Sequence, residues 1–508
     1  MAFPSSFTTT RETGTFLRQA GGALAQNPSN AEGFGWADFE NDGDPDLFVG
    51  SEPGPGHFYR NDGQGKFVSL TPAQVGSIAV RSGSEPETAA WADYDGDGYL
   101  DLFVGDTTGS QNLHHNEGTG KFARAPAATA GSIATDLVFG RSASWFDADG
   151  DGDLDLFVVS DNPNVDCAFY RNEGAGRFTR LMAAEVGPLV TIRAELTQST
   201  VADYDNDGDL DLVLLAYGTN TINQLYQNNG HGVFALATAG ALGTEGAYSA
   251  GASWGDYDND GWLDLCIANL GVFGSGKGQN NFLYHNNGDG TFSRIMTGSI
   301  ANEIGSSFTP VWVDYDNDGA MDLFISNGAG GPQERNFLYR NNGNANHWLK
   351  FRLRGTLSNR SAIGAKVRVK ATVWGKSFWQ MRQITVGDGL LSAQEPRPHF
   401  GLGDATSAET VRIEWPSGIV QEFVNVRADQ SLVLTEPSQL LPSVRRDGGS
   451  VDLMVRAWAG QSFVVESSAQ LGAWQLVATV TNLTGTLRFA DPSTSQPQQF
   501  YRLRSISP

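Results

Sequence analysis

The run DYDGDGYLDLFVG, from Asp93 to Gly105, decides how the rest of the chain is read. Counting Asp93 as position 1, carboxylates stand at positions 1, 3, 5 and 9 (Asp93, Asp95, Asp97, Asp101), with Gly98 at position 6. A glycine serves where the backbone must take a conformation that a Cβ opposes. Four oxygen-bearing side chains around such a turn make a pocket for a hard cation. Ca²⁺ suits it best, because it accepts six to eight oxygens in flexible geometry, whereas Mg²⁺ demands a small octahedron.

The same pattern starts at Asp38, Asp93, Asp147, Asp203, Asp256 and Asp314, in steps of 53 to 58 residues. The other ligand sets are Asp38, Glu40, Asp42, Asp46; Asp147, Asp149, Asp151, Asp155; Asp203, Asp205, Asp207, Asp211; Asp256, Asp258, Asp260, Asp264; and Asp314, Asp316, Asp318, Asp322. Six loops thus hold 24 carboxylates, and up to six Ca²⁺ are expected. An EF-hand is excluded, since its position 12 is a bidentate Glu. Here that position is Val49, Val104, Val158, Leu214, Ile267 or Ile325. The apolar run after position 9 is short and β-rich, so each loop joins two strands.

At 508 residues the chain suggests two to four domains. Its 62 glycines and only 18% charged residues suit an all-β protein rich in tight turns. The net charge of −23 comes largely from the loops, and six Ca²⁺ would leave it near −11. Such acidity argues against nucleic acid as a partner. Cys167 and Cys266 occupy different places in the repeat, which speaks against a disulfide without excluding one. No apolar run reaches 18 residues, so no transmembrane segment is expected. The start MAFPSSFTTTRETG lacks the features of a signal peptide. Calcium availability nonetheless points to a secreted or cell-surface protein, with a signal already removed.

A period near 55 residues is that of a propeller or solenoid. Each unit reads as four strands; in the second they are TAAWADY, LDLFVG, NLHHNEG and KFARAP. Four short strands with NDG and NNG turns make a propeller blade. Six blades is the simplest count, with seven as the alternative. The sixth unit lacks a fourth strand, and SFTTTRETGTF near the N-terminus has that layout, so the N-terminal strand is expected to close the ring and hide its edge. Trp36, Trp91, Trp145, Trp254 and Trp312 recur at one repeat position and read as core.

These units, W-x-D-x-D-x-D-G-x-x-D-L-F-V followed by Asn-Asn-Gly, resemble the FG-GAP/VCBS repeats of integrin-like propellers. The resemblance implies Ca²⁺ held by the loop acids together with the carbonyl at position 7. Copy one departs from the pattern at Glu40 and Pro45, which implies a weaker site. Beyond Asn346, the residues Asn359, Arg360, Ile363, Gly364, Ala365, His399 to Gly403 and Trp415 to Gly418 resemble the UnbV/ASPIC domain that follows such propellers in bacterial proteins and in animal cartilage acidic proteins. A small β-sandwich or barrel is expected there. The last 60 or so residues resemble small Ig-like modules. The expected division is therefore 1–345 propeller, 346–437 UnbV/ASPIC-like β domain, and 438–508 linker and Ig-like module.

No zinc spacing, nucleophile elbow, P-loop or dinucleotide glycine pattern occurs. His114, His115 and His285 read as variants of a structural strand. Function is expected where the repeats disagree, in the loops after the second strand and between units. These bring Arg81, Glu85, Glu87, Arg141, Arg193, Glu195, Glu245 and Tyr248 to the face opposite the acidic loops. A second candidate contact is Trp374, Phe378 and Trp379. The preferred reading is a monomeric calcium-binding propeller that binds a glycan or extracellular protein through the variable face, with calcium structural. One rival is a lyase-like enzyme on a polysaccharide, or one on a small molecule in the channel, with Arg141, Arg193 and Tyr248 as catalytic candidates. The other is a protein adhesion scaffold. Whether the chain is an enzyme stays open, leaning against.

Overall fold

The computed structural model describes residue 23 and residues 34–506, apart from 52–53, 64–65, 81–85, 107–111, 119, 273–274, 276, 329–333, 387–395, 438–439, 448–449, 457–461, 469–473, 482–485 and 492–499. It is an all-β chain organised by the repeat. In unit two, Pro86–Ala92, Asp101–Asp106, Asn112–Asn116 and Phe122–Arg124 hydrogen-bond in sequence order as an antiparallel sheet. Unit one (Phe34–Ala37, Asp46–Ser51, Gly54–Asn61, Phe67–Ser69) and unit three (Gly140–Phe146, Asp155–Ser160, Ala168–Asn172, Phe178–Leu181) repeat that order. Units four (Leu196–Ala202, Asp211–Ile222, Gln224–Asn228, Phe234–Leu236) and five (Gly246–Gly255, Asp264–Asn269, Phe282–Asn286, Phe292–Arg294) do so as well. They also share a ladder where Tyr217 faces Tyr248.

The second strands are buried along their whole length in units two, three and five, as their continuous apolar runs require. First strands of consecutive units are neighbours. The indole of Trp145 donates to Ala90 O of the preceding unit at 3.3 Å, and that of Trp312 to Ser253 O at 3.1 Å. Trp91, Trp145, Trp254 and Trp312 are buried and Trp36 is half-buried, so these are core residues. Between units, Gly76 pairs with Phe122 at φ 77°, and a Cβ there would lie 2.3 Å from Phe122 O. Only glycine fits that crossing.

Unit six has three strands among the described residues, Ser307–Val313, Asp322–Asn327 and Phe337–Tyr339. Its third strand differs from the others: Leu338 is 60% exposed where Leu113, Phe169 and Leu225 are each 1% exposed. The expected closing strand, SFTTTRETGTF, lies outside the described residues.

Beyond the repeats, a four-stranded sheet (Lys366–Val373, Lys376–Gln383, Ser407–Glu414, Val420–Arg427) and a three-stranded one (His347–Arg354, His399–Gly403, Gln430–Thr435) share one core. Leu349, Phe351, Val367, Val369, Phe400, Leu402, Val411 and Ile413 fill it. The chain then forms two three-stranded sheets between Leu440 and Ile506. Cys167 and Cys266 are both free and buried. No helix among the described residues is long and apolar enough to cross a membrane.

Candidate metal centres and the face that carries them

Each acidic loop is wired the same way by its own backbone. The position-9 carboxylate is held at both oxygens: Asp101 accepts from Tyr94 N at 3.2 Å and from Asn116 N at 2.7 Å. Asp155 does the same with Ala148 N and Asn172 N, and Asp264 with Tyr257 N and Asn286 N. The position-1 carboxylate accepts from the glycine at position 6, as Gly98 N donates to Asp93 Oδ2 at 3.0 Å and Gly152 N to Asp147 Oδ2 at 3.0 Å. Gly98 has φ 93°, the conformation its position demanded. These bonds orient positions 1, 3 and 9 so that one oxygen from each converges. The sets Asp93/Asp95/Asp101, Asp147/Asp149/Asp155 and Asp203/Asp205/Asp211 each place three donor atoms within 4.8 Å of one another.

Two carboxylate oxygens in these sets, Asp93 Oδ1 and Asp203 Oδ2, are buried and have no hydrogen-bond partner. Their residues are 8% and 1% exposed. An unsatisfied buried anion is costly, and a bound cation is the usual remedy. Without one, burial pushes Asp38 up to about 7, Asp46 and Asp101 to about 8, and Asp264 to about 7. Asp93, Asp155, Asp211 and Asp256 are raised for the same cause, with neighbouring loop carboxylates adding to it. The donor set is one of hard oxygens and fits a divalent cation.

An unforeseen feature links the loops. In units two to six, the third-strand asparagine that ends the Tyr-x-Asn or His-His-Asn run donates from its side chain to the loop of the preceding unit, whereas Asn61 of unit one donates within its own unit, to Pro45 O at 3.2 Å. Asn116 Nδ2 reaches Phe39 O, Asn172 reaches Tyr94 O, Asn228 reaches Ala148 O, Asn286 reaches Tyr204 O and Asn341 reaches Tyr257 O, all at 2.7 or 2.8 Å. Its recurrence in every copy was the available signal. Asn41, Asn206 and Asn259, at position 4, donate onward to Gly98, Gly261 and Gly319 carbonyls of the next unit.

The sheet pair at 347–435 sits on this same face. Lys350 Nζ lies 3.4 Å from Asp314 with both side chains 1% exposed, and Lys366 Nζ lies 2.7 Å from Asp147. Gly401 N donates to Asp256 Oδ2 at 3.0 Å, Gly403 N to Asn259 O at 2.8 Å, and Arg360 N to Asn41 Oδ1 at 2.9 Å. Arg382 is half-buried, with Asp256 and Asp203 as its acidic neighbours. His399 is 2.7 Å from Asn259 Oδ1. Because Asn259 Nδ2 is committed to Gly319 O, the histidine Nε2 carries the proton and the ring is neutral. Burial holds its pKa down, to about 3. A cavity of about 100 Å³ lined by Trp254, Trp312, Met381, Arg382 and His399 remains between the two parts.

The three catalytic candidates are not brought together. Arg141 lies 3.6 Å from Asp161, Arg193 donates to Asp166 at 2.8 Å, and Tyr248 packs edge-on against Tyr217 with ring centroids 4.9 Å apart. They belong to different units. Glu245 pairs with Arg294, while Arg81 and Glu85 lie outside the described residues. The Trp374 group is split: Trp374 is 60% exposed, whereas Phe378 stacks on Trp262 of the fifth loop at 5.3 Å. His115 and His285, read as strand variants, point into the acid clusters instead: their Nδ1 atoms lie 3.2 Å from Asp101 and Asp264.

An FG-GAP-like repeat matches residues 38–104, 93–158, 147–214, 203–267 and 270–325, more than half of the chain. The chain belongs to the FG-GAP-like repeat family. The family "ASPIC and UnbV" matches residues 355–440. Among curated relatives of this FG-GAP-like chain, Cartilage acidic protein 1 of Mus musculus is 30% identical over 269 residues, 51% of this chain and 40% of that one. The Homo sapiens protein of the same name is 26% identical over 323 residues, 63% and 39% of the two chains. The match thus spans about two-fifths of these relatives' length. Solved structures with a similar course include an Agrocybe aegerita lectin recognising terminal N-acetylglucosamine (TM-score 0.42, 19% identity, 63% of this chain, 82% of that chain). A six-bladed Aleuria aurantia lectin is similar at TM-score 0.34 and 11% identity, over 63% and 99%.

Proposed function

We propose that this is a secreted calcium-binding protein whose six-bladed propeller presents its variable-loop face to a glycan or an extracellular protein, with calcium structural. One observation carries the choice of face. The contacts made by residues 347–403 to the repeats fall on the acidic loops, so that face is covered and the opposite one is left to a ligand. The loop acids at positions 1, 3, 5 and 9 would hold the ions, and binding only to the folded state would stabilise it by mass action.

Closure with six blades is supported by Leu338, whose exposure marks where a fourth strand belongs. The segment SFTTTRETGTF is the strand we assign there. If it covers Leu338, Leu338→Ala costs about 2–5 kcal/mol, as for a core leucine; an unchanged melt would leave the ring open.

The binding role is tested by retention of the full chain on acidic and neutral polysaccharides, in Ca²⁺ and in EDTA. Retention in Ca²⁺, weakened by Arg193→Ala, is the expected result. New unsaturated chain ends would make the protein a lyase, and no retention on any polysaccharide would turn the search to protein ligands.

A further inference from the structure

We propose that the loop of unit two, together with His115, is a mixed nitrogen–oxygen site for a first-row transition dication, unlike the oxygen-only sites of its neighbours. The proposal rests on the reading that the loops bind metal, and it concerns which metal.

One third-strand position, the residue before the recurring asparagine, overlooks each acid cluster. It carries Arg60, His115, Arg171, Gln227, His285 and Arg340 in units one to six. Where it is Arg or Gln, it donates hydrogens: Gln227 Nε2 to Asp205 at 2.6 Å, Arg340 Nε to Asp316 at 2.9 Å. Arg171 turns away to Glu173 at 2.7 Å. A guanidinium has no lone pair to offer a cation, whereas a neutral imidazole has one.

His115 Nδ1 lies 3.1 Å from Asp95 Oδ2 and 3.2 Å from Asp101 Oδ1. That nitrogen is shielded from solvent and makes no hydrogen bond of acceptable geometry. Donor atoms of Asp95, Asp97 and His115 all lie within 4.8 Å of one another, as do those of Asp93, Asp95 and Asp101. The two sets share Asp95, so the nitrogen-bearing group adjoins the oxygen-only one in the same loop. Asp93 adds an independent sign of a ligand: it is 8% exposed, and its Oδ1 has no partner.

Unit five is the internal comparison. His285 Nδ1 stands in the same place, 3.4 Å from Asp258 and 3.2 Å from Asp264. Its position-1 residue differs, because Asp256 already accepts from Asp260 N, Gly261 N and Gly401 N. Asp93 accepts from Gly98 N alone among the described bonds, leaving a whole oxygen for metal. Ca²⁺ takes oxygen ligands, whereas imidazole suits zinc, iron, nickel and copper. An imidazole among carboxylates therefore moves the preference of unit two toward the transition metals, and the unpartnered oxygen of Asp93 is what sets it apart from unit five.

The test uses the full chain, first saturated with Ca²⁺ and then dialysed against Zn²⁺ in a large excess of Ca²⁺. Retained metal is counted by mass spectrometry, and Co²⁺ in place of Zn²⁺ gives a visible spectrum that reports a nitrogen ligand. Loss of an outer-sphere partner already weakens metal sites 10–100-fold. His115→Gln is therefore expected to weaken Zn²⁺ retention on the order of 100-fold and to abolish the nitrogen-dependent part of the Co²⁺ spectrum. The same substitution leaves the melting temperature in Ca²⁺ near that of the parent. Equal Zn²⁺ retention by the parent and His115→Gln would overturn the proposal. If Ca²⁺ itself is not retained, the underlying metal reading fails; if Ca²⁺ is retained and His115→Gln changes nothing, only the present inference does.

Discussion

The two faces of the repeat region are built on opposite principles. On the acidic-loop face, six copies of one turn use the same residues for the same bonds, and a second part of the chain is seated on them. There Lys350 and Asp314 are each 1% exposed. On the other face the loops differ in length and residue in every unit, and their ion pairs are less buried: the Arg193 and Asp166 side chains are 61% and 37% exposed, and those of Arg141 and Asp161 are each 28% exposed. Repetition marks what the molecule needs in order to stand. Divergence marks the face on which we propose recognition.

The largest effect expected from this contrast is that of chelation. Each site filled at a hundredfold excess over its Kd stabilises by about 2.7 kcal/mol, so emptying several should lower the melting temperature strongly. The pH slope sharpens the test. In metal-free loops, burial holds Asp38 at about 7 and Asp101 at about 8, against about 4 in the unfolded chain. The folded state then binds more protons between about pH 4 and pH 8, so metal-free stability falls as pH rises through that window. Metal requires the ionised carboxylates and opposes that slope. Calorimetry in EDTA should therefore give a lower melting temperature at pH 8 than at pH 5, and the difference should shrink or reverse in Ca²⁺.

Next comes the interface. In EDTA, Lys350→Met leaves the buried Asp314 without its lysine and should cost about 3–5 kcal/mol in denaturant unfolding. In EDTA, where no metal is lost with the carboxylate, adding Asp314→Asn should recover part of that loss, since both charges are then gone. At the small end, Arg193→Ala removes an exposed pair and should leave the melt unchanged, because such pairs contribute little. A large loss there would break the contrast between the faces.

Much of this was legible in the sequence, for a physical reason. Position-specific demands, such as Gly98 at positive φ and paired backbone N–H groups for Asp101, recur every 53 to 58 residues and so reveal themselves by repetition. The bridging role of Asn116 and its equivalents carried the same signal, but was hidden behind the turn that Asn and Gly usually mark. His115 was misleading, because a substitution within a repeat looks like drift until the strand register aims it at Asp95. The seating of Lys350, Lys366 and Gly401 on the acidic loops left no mark at all. Contacts between residues 145 to 219 positions apart follow no period, as between Gly401 and Asp256 or Lys366 and Asp147.

The most direct measurement is hydrogen exchange of the full chain with and without EDTA. The amides of Gly401 and Gly403, bonded to Asp256 and Asn259, should lose protection together with the acidic loops when metal is removed. The Tyr217–Tyr248 ladder beneath the variable face should keep its protection. Faster exchange in the loops alone, with Gly401 and Gly403 unchanged, would contradict a metal-stiffened floor on which residues 347–435 are seated.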